Sequence, residues 1–148
     1  MNLFRRILVA TDFSPASTPA FEQAVRMAGR EEAQLLIAHA YQEPALVELS
    51  HAPARVYEEW DNALREAVEK KLRPLVEHAR KEGVEDARAL LLAGFADEAI
   101  IAAAKEEGAD LIVMGTHGRR GAARMFLGSV AARVISMASC PVMTVRSP

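Results

Sequence analysis

Five short apolar runs constrain this chain more than any other feature. They are Ile7-Leu8-Val9-Ala10, Leu35-Leu36-Ile37-Ala38, Ala89-Leu90-Leu91-Leu92, Leu111-Ile112-Val113-Met114 and Val142-Met143-Thr144-Val145. Each is continuous rather than alternating, which predicts strands buried on both faces. Helical patterns fill the gaps. Ser14-Pro15 signals a helix start, Ala20, Phe21, Ala24, Val25 and Ala28 form one apolar face, and Gly29 signals the stop. Residues 56–82 carry Val56, Trp60, Leu64, Val68, Leu72 and Leu75 at helical spacing, with Trp60 expected to pack and Pro74 expected to kink or split the helix. Residues 95–107 end at Gly108. Residues 129–139 form the last helix, with Val130, Val134 and Met137 or Ala138 facing inward. Strands alternating with helices predict an α/β fold with a parallel sheet and right-handed crossovers. Residues 41–55, with Pro44 and Pro53, are the longest stretch without a pattern and read equally as a binding loop or a tolerated insertion.

The length of 148 residues suits one domain spanning 1–148, and a chain of this size needs no disulfide or structural metal to fold. The single cysteine, Cys140, excludes an internal disulfide and a thiolate zinc cluster, and reads as a small core residue. No apolar run reaches membrane-spanning length, and no signal segment is evident, so the expectation is a cytoplasmic protein with no membrane contact. A net charge of -2 argues against nucleic-acid binding by bulk basicity. The charge is nevertheless uneven. From Leu111 onward there is no acidic residue, but there are Arg119, Arg120, Arg124, Arg133 and Arg146. That asymmetry points towards an anion site near the C-terminus, or else to a chance excess on a solvated face.

Ligands of open α/β sheets bind beyond the carboxyl ends of the strands. After the fourth run stands Gly115-Thr116-His117-Gly118-Arg119-Arg120-Gly121, and Gly128-Ser129 opens the last helix. Closely spaced glycines let backbone amides approach a ligand, and a helix N-terminus favours negative charge. With the arginines, these features point to phosphate. The alternative is a glycine-rich turn with Ser129 as a plain N-cap. Neither a Walker A loop nor a dinucleotide fingerprint is present. After the first run, Asp12 in Ala10-Thr11-Asp12 could meet a ribose hydroxyl or a phosphate-bound metal, or simply cap the next helix. After the second, backbone groups of His39-Ala40-Tyr41 could read a base edge. The four histidines share no ligand spacing, and no nucleophile–base pair is suggested.

Taken together, these motifs resemble the universal stress protein family over essentially the whole chain. The nucleotide-binding branch of that family carries G-x-x-G, nine residues, then G-[ST]. Here Gly115, Gly118, residues 119–127 and Gly128-Ser129 match it without departure. The segments ILVATDFS, ADLIVMGTHGRRG, LGSVAARV and CPVMTVR are similar to family motifs as well. The resemblance implies an adenine-nucleotide alpha-hydrolase-like fold: a five-stranded parallel sheet, order 3-2-1-4-5, with helices on both faces. Carried over by position, Ala10, Thr11 and Asp12 would line the adenosine side, and Ala40 would meet adenine through its backbone. Met114, Gly115, Thr116, His117, Gly118, Arg119 and Arg120 would wrap the ribose and phosphates. Gly128, Ser129 and Val130 would hold the phosphates at the helix start. The implied ligand is ATP, or AMP or ADP, with Mg or Mn on the phosphates. The family also implies a homodimer through the last strand, Pro141, Val142, Met143, Thr144 and Val145, and an unpaired apolar edge there fits that.

Three functions compete. One is an ATP-binding stress-response module. The second is a slow ATPase or phosphotransferase, with Asp12 orienting a metal and Arg119 offsetting charge, though no convincing general base is visible. The third is an interaction protein that binds no nucleotide.

Overall fold

The structure is a computed structural model, and it describes residues 1–42, 51–117 and 127–148. The strands are β1 (Arg6–Ala10), β2 (Gln34–Tyr41), β3 (Ala87–Ala93), β4 (Leu111–Gly115) and β5 (Val142–Val145). The helices are α1 (Thr18–Glu31), α2 (Ala54–Lys81), α3 (Ala96–Glu107) and α4 (Ser129–Met137). All five apolar runs are strands. They form one sheet in the order β3-β2-β1-β4-β5, and every pairing is parallel. Val9 of β1 pairs with Ile37 on one side and Val113 on the other.

Successive strand residues feed opposite layers, because side chains alternate across a strand. Ile7, Val9, Leu35, Ile37, Leu111 and Val113 pack with Phe21, Ala24 and Val25 of α1 and Leu72 and Ala79 of α2. Leu8, Leu36, Ala38, Ile112 and Met114 pack with Ile100, Ala103 and Ala104 of α3 and Ala131 and Val134 of α4. Both faces of the central strands are therefore sealed, as their continuous apolar sequence requires.

Several local expectations need correction. Ser14 does not start α1. Its hydroxyl donates to Asp12 Oδ1 rather than capping, a short 3-10 turn follows at Pro15–Ser17, and the α-helix begins at Thr18. Gly29 does not stop α1, which continues to Glu31 and turns off at Glu32, left-handed at φ 52°. Pro74 does not split α2. It lies on the exposed side, where water can satisfy the carbonyl left without its N–H. Trp60 does not pack: it is 55% exposed. Twenty-eight residues make α2 about 42 Å long, while the seven residues of β3 span about 23 Å, so α2 overhangs the sheet. In α4, Val134 and Ala131 are buried, Val130 and Ala138 are half-buried, and Met137 is exposed. The long loop expected over residues 41–55 is shorter at both ends, since Tyr41 closes β2 and Ala54 and Arg55 open α2, and residues 43–50 lie outside the described residues.

Candidate functional site

The strand order places β1 beside β4, with their following connections leading to opposite faces of the sheet. A crevice opens at that switch point beyond the strand ends, as open α/β sheets require. It is a cavity of about 600 Å³, within the size range of small-molecule sites. Of the residues singled out in the sequence, Ala10, Thr11, Asp12, Ala40, Met114, Gly115, Thr116, His117, Gly128, Ser129 and Val130 line it together. Gly118, Arg119 and Arg120 lie outside the described residues, as do Gly121 and Arg124. Sequence reasoning missed Ser17, Ala38, Gln42, Ala96, Ile100 and Ala131 as lining residues. Ala96 and Ile100 fall four apart at the start of α3, a signal that acquires meaning only once α3 is known to flank this crevice.

The loop after β1 is built by its own hydroxyls. Thr11 N–H donates to Ala38 O at 2.9 Å, which ties the loop to β2. Ser17 Oγ donates its one proton to Ser14 O at 2.8 Å. Thr11 must therefore be the donor across the 3.1 Å contact between the Thr11 and Ser17 hydroxyls. Thr11 Oγ1 also accepts Phe13 N–H at 3.1 Å. Asp12 Oδ1 accepts from both the amide and the hydroxyl of Ser14. Asp12 thus fixes the turn locally while its residue lines the cavity, so the capping-type and site-facing readings of it meet in one geometry.

His39 braces the same loop from β2. Its Nδ1 lies 2.8 Å from Thr11 O, and a carbonyl can only accept, so Nδ1 carries the proton. Its ring centroid is 4.4 Å from that of Phe13. Phe13 holds a left-handed φ of 63°, a conformation that costs a non-glycine residue energy and needs such support.

The opposite wall comes from β4 and α4. Thr116 N–H donates to Val145 O at 3.2 Å, and Thr116 O accepts Gly128 N–H at 2.6 Å. These bonds tie the loop after β4 to β5 and to the start of α4. Gly128, not Ser129, is the N-cap, and no side chain caps the helix. The amides of Ser129, Val130 and Ala131 therefore have no intrahelical acceptor, and the Ser129 hydroxyl is not spent on capping. Such an end is an anion site in physical terms. Gly115 allows close approach: a Cβ there would lie 3.3 Å from Ala16 O and 3.4 Å from His117 O. Among the described residues, the buried polar ones are Thr11, Ser17 and Thr116, and all three line this cavity. Of the C-terminal arginines, Arg133 is committed to Asp97, with Nε and Oδ2 3.0 Å apart.

The crevice thus offers apolar walls and strand-end backbone together with helix-start amides that have no intrahelical acceptor and the Ser129 hydroxyl. Among the described residues no three His, Cys, Asp or Glu side chains cluster to hold a metal. A divalent ion here would be held chiefly by ligand phosphates, with Asp12 as the nearest carboxylate in the lining.

Comparison with known proteins agrees with this architecture. A family model described as the universal stress protein family matches residues 3–146. A universal stress protein of Thermus aquaticus is 40% identical over 144 residues, covering 97% of this chain and 100% of its own. The solved structure of the universal stress protein UspA from Lactobacillus plantarum superposes with a TM-score of 0.82 at 28% identity, covering 96% of this chain and 97% of its own. A crystal structure of a universal stress protein in complex with cAMP has a TM-score of 0.69 at 28% identity, with 98% of each chain covered. On the extent of the sequence match and the shared fold, the chain belongs to the universal stress protein family.

Proposed function

We propose that this chain binds an adenine nucleotide in the β1–β4 crevice and works as a nucleotide-dependent stress-response module. Its ligand in the cell is ATP, or AMP or ADP, with Mg or Mn on the phosphates. The observation that carries this reading is the start of α4. Three amides without intrahelical acceptors and the Ser129 hydroxyl, which does not cap the helix, belong to residues of the same cavity wall. The relative that holds cAMP supports an adenine nucleotide as the ligand class. Ala38, Ala40, Ala96 and Ile100 supply small and apolar surface for a base in the same crevice.

The reading is one of binding rather than turnover. Hydrolysis needs a positioned water and charge stabilisation at the reacting phosphate. Asp12 Oδ1 is already engaged by two donors from Ser14, which suits a structural and metal-orienting carboxylate better than a base. The protein is proposed to be cytoplasmic; no described helix is long and apolar enough to cross a membrane. It is also proposed to dimerise through β5. That strand lies at the sheet edge, and Val142, Met143 and Val145 are only half-buried there, which leaves apolar surface for a second copy.

Two measurements test the reading. Mass spectrometry of the purified protein identifies any co-purified nucleotide, and calorimetric titration of stripped protein follows ATP with Mg, ADP and AMP. Saturable binding of one nucleotide per chain is expected. A folded protein with no co-purified nucleotide and no binding heat would leave only an interaction protein. In sedimentation, Met143→Lys is expected to shift dimer to monomer.

A further inference from the structure

A second cavity, of about 320 Å³, lies on the side of the sheet covered by α1 and α2. That volume is at the lower end of the roughly 300–1,000 Å³ of small-molecule sites. Phe13, Phe21 and Leu75 give it apolar walls. Its polar groups have largely spent their protons. The Thr11 hydroxyl donates to Ser17, that of Ser17 to Ser14 O, and that of Ser14 to Asp12. The amides of Phe13, Ser14, Ser17 and Thr18 are engaged as well, the last by Pro15 O. His78 Nε2 lies 3.1 Å from Glu22 Oε1. A carboxylate only accepts, so that nitrogen donates its proton to Glu22. Lone pairs therefore remain, above all on the Glu22 carboxylate. The start of α1 thus differs from that of α4 and does not suit an anion.

A cation is no better favoured. Lys71 Nζ already stands 5.4 Å from the centroid of the Phe13 ring, where an aromatic face attracts positive charge. Its charge opposes that of Glu22, so neither sign of ionic ligand gains. We propose that this cavity binds a small neutral phenol, its ring against Phe13, Phe21 and Leu75 and its hydroxyl donating to Glu22.

The site is built onto the nucleotide crevice. Thr11 and Ser17 line both cavities. Phe13 lines the second, and its ring centroid is 4.4 Å from that of His39, which lines the first. Residues 11–17 are therefore a wall common to both. Phe13 holds its left-handed φ of 63° through its surroundings. A ring packed against it favours the same loop conformation that brings Asp12 to the crevice. Occupancy of the second cavity then raises nucleotide affinity, and a nucleotide raises phenol affinity by the same factor. This coupling, unlike the site itself, rests on the nucleotide-binding reading above.

Backbone amide NMR at neutral pH, titrating wild type with phenol and with anisole, tests the site. Anisole keeps the ring and the oxygen but has no proton to donate. Phenol is expected to shift Thr18, Glu22, Leu75 and His78 saturably. Anisole is expected to bind about tenfold more weakly, the effect of losing one hydrogen bond to a charged group. Leu75→Trp, which fills the cavity, abolishes the phenol shifts, and Glu22→Ala brings phenol down to the level of anisole. Absence of saturable shifts, shifts centred elsewhere, or equal binding of the two probes to wild type overturns the proposal, whether or not the variants fold. Phenol binding that survives in folded Leu75→Trp overturns it too. Calorimetric titration with AMP, with and without saturating phenol, tests the coupling, and about a fivefold gain in affinity is expected. An unchanged AMP affinity overturns the coupling. A wild type that binds phenol at these residues but no AMP refutes the nucleotide reading and upholds the second site.

Discussion

One methyl group added at Gly115 and one at Gly29 have opposite expected effects, and the local geometry sets both signs. Gly29 sits inside α1, and a Cβ there would meet Glu82 O at 3.9 Å and Val84 Cγ2 at 4.0 Å, ordinary contact distances. Gly29→Ala removes the backbone-entropy cost of a helical glycine. It is expected to stabilise by about 0.5–1 kcal/mol, the lower figure applying because the site is near the helix end. Gly115 ends β4, and its Cβ would lie 3.3 Å from one backbone carbonyl oxygen and 3.4 Å from another. Neither oxygen can swing away as a flexible side chain would. Gly115→Ala must push the Ala16 turn off β4 and is expected to destabilise by about 1–3 kcal/mol, as overpacking does. The same turn joins Asp12 to Ser17, so nucleotide affinity falls with stability. Urea unfolding of the three proteins measures both signs, with equal m values required for the comparison. In a chain of this size each kcal/mol moves Tm by about 2–4 °C. A Gly115→Ala protein as stable as wild type, or a destabilised Gly29→Ala, would refute the packing argument.

Two further predictions concern other parts of the chain. Glu32 is exposed and left-handed at the end of α1, so Glu32→Gly is expected to stabilise by roughly 0.5–1 kcal/mol in the same urea assay; a loss would mean its side chain matters there. Burial raises the Cys140 thiol above its ordinary range, and the charge of Asp110 adds to the shift. Iodoacetamide at pH 8 is therefore expected to label native Cys140 more slowly than the urea-unfolded chain, and equal rates would contradict this. The sign for stability follows: the unfolded thiol ionises first, so the contribution of Cys140 is full below the ordinary thiol pKa and is lost as pH rises through the folded one.

The strands were legible because both faces of this sheet are covered, which forces an apolar residue at nearly every strand position. The end of α3 was legible too, since Gly108 has a φ of 66° that glycine adopts readily. Gly29 misled because a helix tolerates an internal glycine at modest cost, while the true stop fell on Glu32, a residue type with no such signature. Trp60 misled because helical spacing reveals a face but not whether anything lies beneath it; α2 outruns the sheet. Sheet order is a long-range property, and the resemblance to the family supplied it where local pattern could not. The same holds for the site. The glycine loop and the start of α4 carried local signals, whereas Ala96, Ile100 and Ser17 joined the crevice only through the order of the strands.

The central claim is that the residues after β1 and β4, at the end of β2 and at the start of α4 bind one ligand together. Backbone amide NMR during titration with AMP tests it most directly. The account predicts saturable shifts at Thr11, Asp12, Ala40, Thr116, Ser129 and Val130 with a single common affinity, and none at Arg88 or Leu90 of β3. Shifts centred elsewhere, or two groups of residues titrating with different affinities, would contradict it.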